Sequence, residues 1–211
     1  LPDDETLRLL PCDRTCGALT IGWLGGPRRE KGTDILPEII GSVLAAKSDG
    51  PPLKFLLQCA GNSRKAKKLQ ARLAKFGGAV EMLNVVVSRD EYHAALKRCD
   101  MLLLPYDASA YPPERGSGTA LEALLTGKPM IAMAETFAAT LIKTDSGAVG
   151  RDASTLAAGI LTIAKNYDSY ARGAERERER ARTSYNREHC YRALIGLTRS
   201  QLLATDEQAT T

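Results

Sequence analysis

Short apolar runs alternate with amphipathic stretches along most of this chain. A run of roughly 4–8 apolar residues bounded by glycine or loop residues is typical of a strand that is buried in a sheet. The predicted strands are 19–25, 54–61, 79–87, 100–106, 129–134 and, with the weakest pattern, 146–150.

The stretches between these runs have apolar residues at helical spacing. In 32–47, for example, Ile35, Ile39, Ile40 and Val43 fall on one face. The other predicted helices are 65–76, 90–99, 118–127, 153–171, 173–189 and 189–204. The helix at 118–127 ends at Gly127, because glycine favours the left-handed cap position.

Strands that alternate with helices predict a parallel sheet covered on both faces. Right-handed crossovers make this a Rossmann-like, doubly wound α/β fold with a mainly parallel sheet of about six strands. We expect one domain over 18–203, an N-terminal linker or extension over 1–17 and a disordered tail over 204–211. Ligands bind such sheets at the carboxyl ends of the strands, which directs attention to the loops 25–32, 61–63, 87–90 and 107–118.

Composition narrows the classes of function. The 211 residues suit one domain, and 44% apolar and 26% charged residues are ordinary globular usage. Aromatic residues, at 5%, are too few to favour a nucleic-acid surface of stacked rings, and a net charge of +4 does not demand such a partner. The charges in 173–189 nearly cancel, which predicts a solvated helix face. No apolar stretch reaches the roughly 18 residues of a membrane span, and no secretory signal is visible.

The five cysteines predict neither a disulfide framework nor a metal site. They are odd in number and scattered, which favours free thiols and a reducing, cytosolic setting. Cys12 and Cys16 lie four apart, but no second pair of ligands stands at the spacing of a zinc site. Cys59 and Cys99 lie in apolar runs and are expected to be buried, and the fifth is Cys190.

The loop after the first strand has the composition of a phosphate site. Gly25 and Gly26 allow the backbone to approach a ligand, and Arg28, Arg29 and Lys31 bring three cations to the start of a helix. A surface turn with solvated charges remains the alternative. The spacing matches neither a Walker A loop nor Gly-x-Gly-x-x-Gly, so a nicotinamide dinucleotide is disfavoured.

The loop after the fourth strand adds a second anion site and two carboxylates. Gly116, Ser117 and Gly118 begin a helix whose first amides are open to an anion. Glu122 lies in that helix, where its carboxylate can accept two hydroxyl groups such as those of a ribose. Glu114 precedes it with seven residues between them. The alternative is that both glutamates are ordinary solvated acids.

Together these loops resemble the donor domain of retaining GT-B glycosyltransferases, the large family 4. The resemblance rests on Lys31-Gly32, on the Glu-x7-Glu spacing of Glu114 and Glu122, and on Gly127-Lys128-Pro129-Met130-Ile131. It covers roughly 19–150, and it implies that the chain is one half of a GT-B fold. Three departures stand out: Gly26 where the family has arginine, Arg115-Gly116-Ser117-Gly118 in place of Gly-Phe-Gly, and Tyr106 where serine is common.

The resemblance implies roles for particular residues. Lys31 would contact the diphosphate, Glu122 the ribose and Glu114 the sugar, with Glu114 and Lys31 as the catalytic pair. The implied donor-binding set is Gly25, Gly26, Arg28, Arg29, Lys31, Val87, Ser88, Glu114, Gly116, Ser117, Gly118, Thr119 and Glu122. In it, Val87 and Ser88 would face the base, and Arg28 or Arg29 would replace the missing arginine.

The implied activity is retaining transfer of a sugar from a nucleoside diphosphate sugar to an acceptor hydroxyl on a glycan, a lipid or a small molecule, as in polysaccharide biosynthesis. No cofactor is implied, and no metal, since an Asp-x-Asp motif is absent. The resemblance implies that an N-terminal acceptor-binding domain is missing here, and we expect the domain alone to catalyse little. We expect a cytoplasmic protein whose membrane contact, if any, is peripheral and made through the missing half. The alternatives are a non-catalytic nucleotide-binding module, and an epimerase or phosphorylase of the same build.

Overall fold

A computed structural model of the chain describes residues 17–46 and 50–184. The predicted extension before Gly17, the predicted helix 189–204 and the predicted tail 204–211 lie outside these residues, as do Cys12, Cys16 and Cys190.

Six strands form one sheet in which every neighbouring pair is parallel. The strands are β1 (Leu19–Trp23), β2 (Leu53–Ala60), β3 (Val80–Asn84), β4 (Met101–Leu104), β5 (Met130–Met133) and β6 (Gly147–Gly150). Their order across the sheet is β3-β2-β1-β4-β5-β6. The prediction of a doubly wound Rossmann-like sheet is confirmed.

Seven α-helices connect and follow the strands in the described part of the chain. They are α1 (Leu36–Ala45), α2 (Arg64–Leu73), α3 (Arg89–Arg98), α4 (Gly118–Leu125), α5 (Phe137–Thr140), α6 (Ala153–Lys165) and α7 (Tyr167–Ser184). Two 3-10 segments, Arg29–Lys31 and Ala74–Ala79, complete the set. The single helix predicted over 153–171 was wrong: the chain leaves helical geometry at Asn166, whose side chain donates to the carbonyl oxygen of Thr162 at 3.1 Å.

The sheet has a separate apolar core on each face. In β4, Met101 and Leu103 face the core that includes residues of α1, α2 and α6, while Leu102 and Leu104 face the core that includes residues of α3, α4, α5 and α7. Alternate side chains of one strand are therefore buried on opposite sides, which explains the uninterrupted apolar runs in the sequence. Cys59 and Cys99 are buried thiols, as predicted, and burial raises the pKa of Cys59 to about 12.

The strand order reverses between β1 and β4, because the chain builds outward from β1 to β3 and then returns to place β4 on the other side. Loops that leave the two central strands thus diverge to opposite faces and open a crevice at their carboxyl ends. The two loops with the strongest sequence signals follow β1 and β4.

Candidate functional site

A cleft of about 730 Å³ opens at the carboxyl ends of the strands. The loops that follow β1 and β3 reach it, together with one side chain from β2 and residues of α3 and α4. The lining residues are Gly25, Gly26, Gln58, Val85, Val87, Ser88, Arg89, Tyr92, His93, Gly118, Leu121 and Glu122. Segments that are far apart in sequence therefore share one site.

One wall of the cleft is held in place by a buried amide. Gly25 and Gly26 have φ of 107° and 77°, a region that glycine enters without strain. The amide of Gly25 donates to Gln58 Oε1 at 2.6 Å, and Gln58 Nε2 donates to the carbonyl of Val85 at 2.9 Å. Gln58 is only 6% exposed, so it ties the loop after β1 to the end of β3. Its only sequence signal was one polar residue within an apolar strand.

We expect Gln58→Leu to lower the free energy of unfolding by about 1–2 kcal/mol, because two backbone groups at the cleft lose their partners. Urea denaturation would measure the loss. Gln70→Leu is the matched control: Gln70 also donates to backbone oxygens, those of Cys59 and Gly61 at 3.2 and 2.9 Å, but removing it leaves no amide N–H unpaired. Equal losses in the two variants would show that the Gly25 amide does not depend on Gln58.

Lys31 is buried at the base of the same loop. The residue is only 5% exposed, and its backbone carbonyl accepts a hydrogen bond from Trp23 Nε1 at 2.9 Å. The ammonium group lies 5.4 Å from the centroid of the Tyr106 ring and against Gly25, where a Cβ would collide with it. Burial, and after it the charge of Arg28, lower the pKa of Lys31 to about 8, although the carboxylates of Glu122 and Glu30 oppose the shift.

The N-terminus of α4 lies near this cation, since Tyr106 is close both to the Lys31 ammonium and to the hydroxyls of Ser117 and Thr119. Ser117 caps the helix by accepting from the amide of Ala120 at 3.3 Å. The amides of Gly118 and Thr119 belong to the first turn and have no acceptor within the helix, so they can bind an anion. The Tyr106 hydroxyl is buried beside the hydroxyls of Ser117 and Thr119 but makes no well-formed hydrogen bond.

Glu122 lies on α4 and is held by a residue of α3. Ser88 and Glu91 form a capping box that begins α3, and this fixes the first turn from which Tyr92 extends. The Tyr92 hydroxyl donates to Glu122 Oε2 at 2.5 Å. Burial and the adjacent carboxylate raise the pKa of Tyr92, so its hydroxyl stays protonated and remains a donor.

The structure brings most of the predicted site residues together. Six of them line the cleft: Gly25, Gly26, Val87, Ser88, Gly118 and Glu122. Three more are buried next to it, namely Lys31, Ser117 and Thr119. Lys31 is close enough to the lining residue Glu122 for that carboxylate to affect its pKa, and Thr119 lies beside the hydroxyl of the lining residue Tyr92.

The other four predicted residues neither line the cleft nor are buried next to it. The Arg29 side chain is 86% exposed and lies 3.4 Å from Asp34. Arg28 is half-exposed, 3.8 Å from Glu30, but its charge reaches Lys31 and Tyr106. Glu114 and Gly116 are exposed in the loop before α4. Of the two arginines, Arg28 is therefore the one placed to supply charge at this site.

The described residues include no group of three or more histidine, cysteine, aspartate or glutamate side chains placed to hold a metal ion. In residues 17–46 and 50–184 we also find no helix with the length and apolar character needed to cross a membrane.

Comparison with known proteins gives one family and many similar structures. The family described as Glycosyl transferases group 1 matches residues 18–166. No curated relative matches the sequence. Sucrose-phosphate synthase from Thermosynechococcus elongatus is 21% identical with a TM-score of 0.68, and covers 93% of this chain and 47% of its own.

Two further structures show the same fold. HepE from Anabaena, in complex with UDP and glucose, is 17% identical with a TM-score of 0.67, covering 96% of this chain and 52% of its own. The C-terminal domain of a glycosyl transferase group 1 protein from Francisella tularensis is 15% identical with a TM-score of 0.63, covering 80% and 87%. The chain thus spans about half the length of the synthase and of HepE.

Proposed function

Because this chain belongs to the Glycosyl transferases group 1 family, we propose that it is the donor-binding half of a GT-B glycosyltransferase. In this proposal the cleft binds a nucleoside diphosphate sugar, and the complete protein transfers the sugar to an acceptor hydroxyl with retention of configuration. One observation carries the proposal: a buried cation, the open N-terminus of a helix and a held carboxylate surround a single cleft.

The arrangement suits a diphosphate leaving group. Negative charge develops on the diphosphate as its bond to the sugar breaks, and fixed donors in a site that excludes water stabilise such charge. The first-turn amides of Gly118 and Thr119 and the ammonium of Lys31 would supply this stabilisation. No acid residue is needed to protonate so good a leaving group, and we propose that no metal is needed either.

The rest of the cleft fits a nucleoside. Glu122 lies one turn beyond the anion-binding end of α4, where a ribose joined to the diphosphate would fall. Val87 and Ser88 line the side near α3 and would face the base. Glu114, exposed before α4, would contact the transferred sugar.

We propose that a second, N-terminal domain binds the acceptor, which would be a glycan, a lipid or a small molecule. This chain matches only about half the length of HepE and of sucrose-phosphate synthase, which supports a second domain. In the whole protein the second domain would close over the cleft. We propose a cytoplasmic enzyme of polysaccharide biosynthesis, with any membrane contact made through that domain.

Calorimetry with UDP, ADP and GDP tests the proposal directly. UDP is the first choice, because HepE was solved with it. We expect at least one diphosphate to bind with a dissociation constant of roughly 1 μM to 1 mM, the range common for enzyme substrates. Lys31→Met should weaken that binding, and Arg29→Met, in the same loop but outside the cleft, should not. Failure of all three ligands to bind would refute the proposal.

A non-catalytic nucleotide-binding module is the second candidate. It is favoured by Gly26, where the family has arginine, and by the exposure of Glu114. Slow hydrolysis of the bound nucleoside diphosphate sugar would favour the enzyme, and stable binding without turnover in the complete protein would favour the module.

A further inference from the structure

A hydrogen bond joins two helices across the proposed ribose position. Tyr92 on α3 and Glu122 on α4 both line the cleft, and the tyrosine hydroxyl donates to Glu122 Oε2 at 2.5 Å. Neither the Glu-x7-Glu spacing nor the glycine-rich loop that carried the resemblance involves Tyr92. The role of Tyr92 in the site therefore has to be inferred from its hydrogen bond to Glu122.

The contact constrains the carboxylate in a defined way. Glu122 has a long side chain that would otherwise sample several rotamers, and ordering such a side chain costs conformational entropy. The bond from Tyr92 takes one acceptor position on Oε2. A carboxylate has about four such positions, so Oε1 and the rest of Oε2 can still accept from a ligand.

The donor is itself well fixed. Tyr92 extends from the first turn of α3, which the capping box of Ser88 and Glu91 holds, and the Thr119 hydroxyl lies beside the tyrosine hydroxyl. Because α3 and α4 are anchored in the same apolar core through residues such as Leu96 and Ala123, the two side chains keep their relative position.

We propose that Tyr92 is a positioning residue that presents the Glu122 carboxylate to the hydroxyl pair of a ribose, so that the cleft selects ribonucleotides over 2′-deoxyribonucleotides. The proposal rests on the proposed function, since it requires a nucleoside diphosphate in this cleft. Tyr92 itself does not need to touch the ligand. Its effect passes through Glu122, and it should be larger with ligands that offer both the 2′- and the 3′-hydroxyl than with those that offer only the 3′-hydroxyl.

The test is a comparison of ligands in Tyr92→Phe, which removes only the hydroxyl group. Calorimetry would measure binding of the best of UDP, ADP and GDP, and of its 2′-deoxy counterpart, to the wild-type chain and the variant. We expect the variant to bind the ribonucleotide about three- to tenfold more weakly, the scale of one hydrogen bond. The loss should be smaller for the deoxynucleotide, which offers Glu122 only the 3′-hydroxyl, so the preference for ribose should fall.

Tyr167→Phe serves as the matched control. The Tyr167 hydroxyl also donates to an oxygen, the carbonyl of Asp100 at 3.1 Å, but it lies at the opposite end of the sheet from the cleft. Its loss should reduce the midpoint of thermal unfolding without changing the preference for ribose.

Three outcomes would overturn the inference. An equal loss for both ligands in Tyr92→Phe would show a purely structural tie between helices. Unchanged affinity for both ligands would show that Glu122 needs no positioning, and tighter ribonucleotide binding would show that Tyr92 competes with the ligand. If the wild-type chain binds none of the diphosphates, the proposed function fails and the inference fails with it.

Discussion

Lys31→Met should weaken nucleoside diphosphate binding by about 10- to 100-fold, the scale of a lost hydrogen bond between charged groups. The cation lies against Gly25 at the wall of the cleft and within the electrostatic reach of Glu122. Methionine keeps most of the length and apolar surface of lysine but has no charge. Calorimetry with the diphosphate that binds the wild-type chain would measure the change.

The same substitution should stabilise the fold at neutral pH, on the order of 1–3 kcal/mol. Burial lowers the pKa of Lys31 from 10.5 to about 8, so the folded protein holds the charged form at a cost below pH 8. Between pH 8 and 10.5 the unfolded chain keeps a proton that the folded protein has released, and the free energy of unfolding rises with pH. Methionine removes both the cost and this rise.

Urea denaturation of both proteins at pH 7 and pH 10 would show the effect. The stability difference between variant and wild type should be large at pH 7 and smaller at pH 10. Arg29→Met is the control for charge alone, because its side chain is 86% exposed. A Lys31→Met protein that is less stable at neutral pH would show that the ammonium group has a stabilising partner.

Glu122→Gln should weaken binding of the bare diphosphate as well as of the intact donor, by about 10- to 100-fold, since charged acceptors of the ribose hydroxyls are replaced by a neutral amide. In the wild-type chain the Tyr92 hydroxyl donates to this carboxylate, and the side-chain oxygen of glutamine can still accept that hydrogen bond. Calorimetry with both ligands would measure the two losses separately.

Glu114→Gln is the matched substitution at the other glutamate. Glu114 is exposed and outside the cleft lining, so bare-diphosphate binding should change by no more than about twofold, the range of surface substitutions. Only the intact donor, which carries the sugar, should bind more weakly. Equal losses of diphosphate affinity in both variants would contradict this division of roles, and unchanged affinity in both would indicate two solvated acids.

The sheet and the loops could be predicted because their signals are local. Each strand is a short apolar run, and the glycines at positions 25 and 26 stand directly after one. The break at Asn166 could not be predicted in the same way, since no glycine or proline between Gly159 and Gly173 marks the end of a helix.

The contacts that shape the cleft depend on tertiary structure. Gln58 is one polar residue in an apolar strand, and its two partners come from other parts of the chain. Tyr92 occupies an ordinary amphipathic position, and only the fold places its hydroxyl at Glu122. Whether Arg28 or Arg29 brings charge to the site likewise depends on tertiary structure, and in the fold it is Arg28, at the start of the 3-10 segment, whose charge lowers the pKa of Lys31.

The three hydrogen bonds that hold the cleft each join residues about one strand–helix–strand unit apart. Gly25 and Gln58 are separated by 33 residues, Gln58 and Val85 by 27, and Tyr92 and Glu122 by 30. Closing loops of this length costs entropy that only the docked units repay. We therefore expect the cleft to be assembled late in folding, after these units have packed, so that a chain with only its local helices formed would have no binding site.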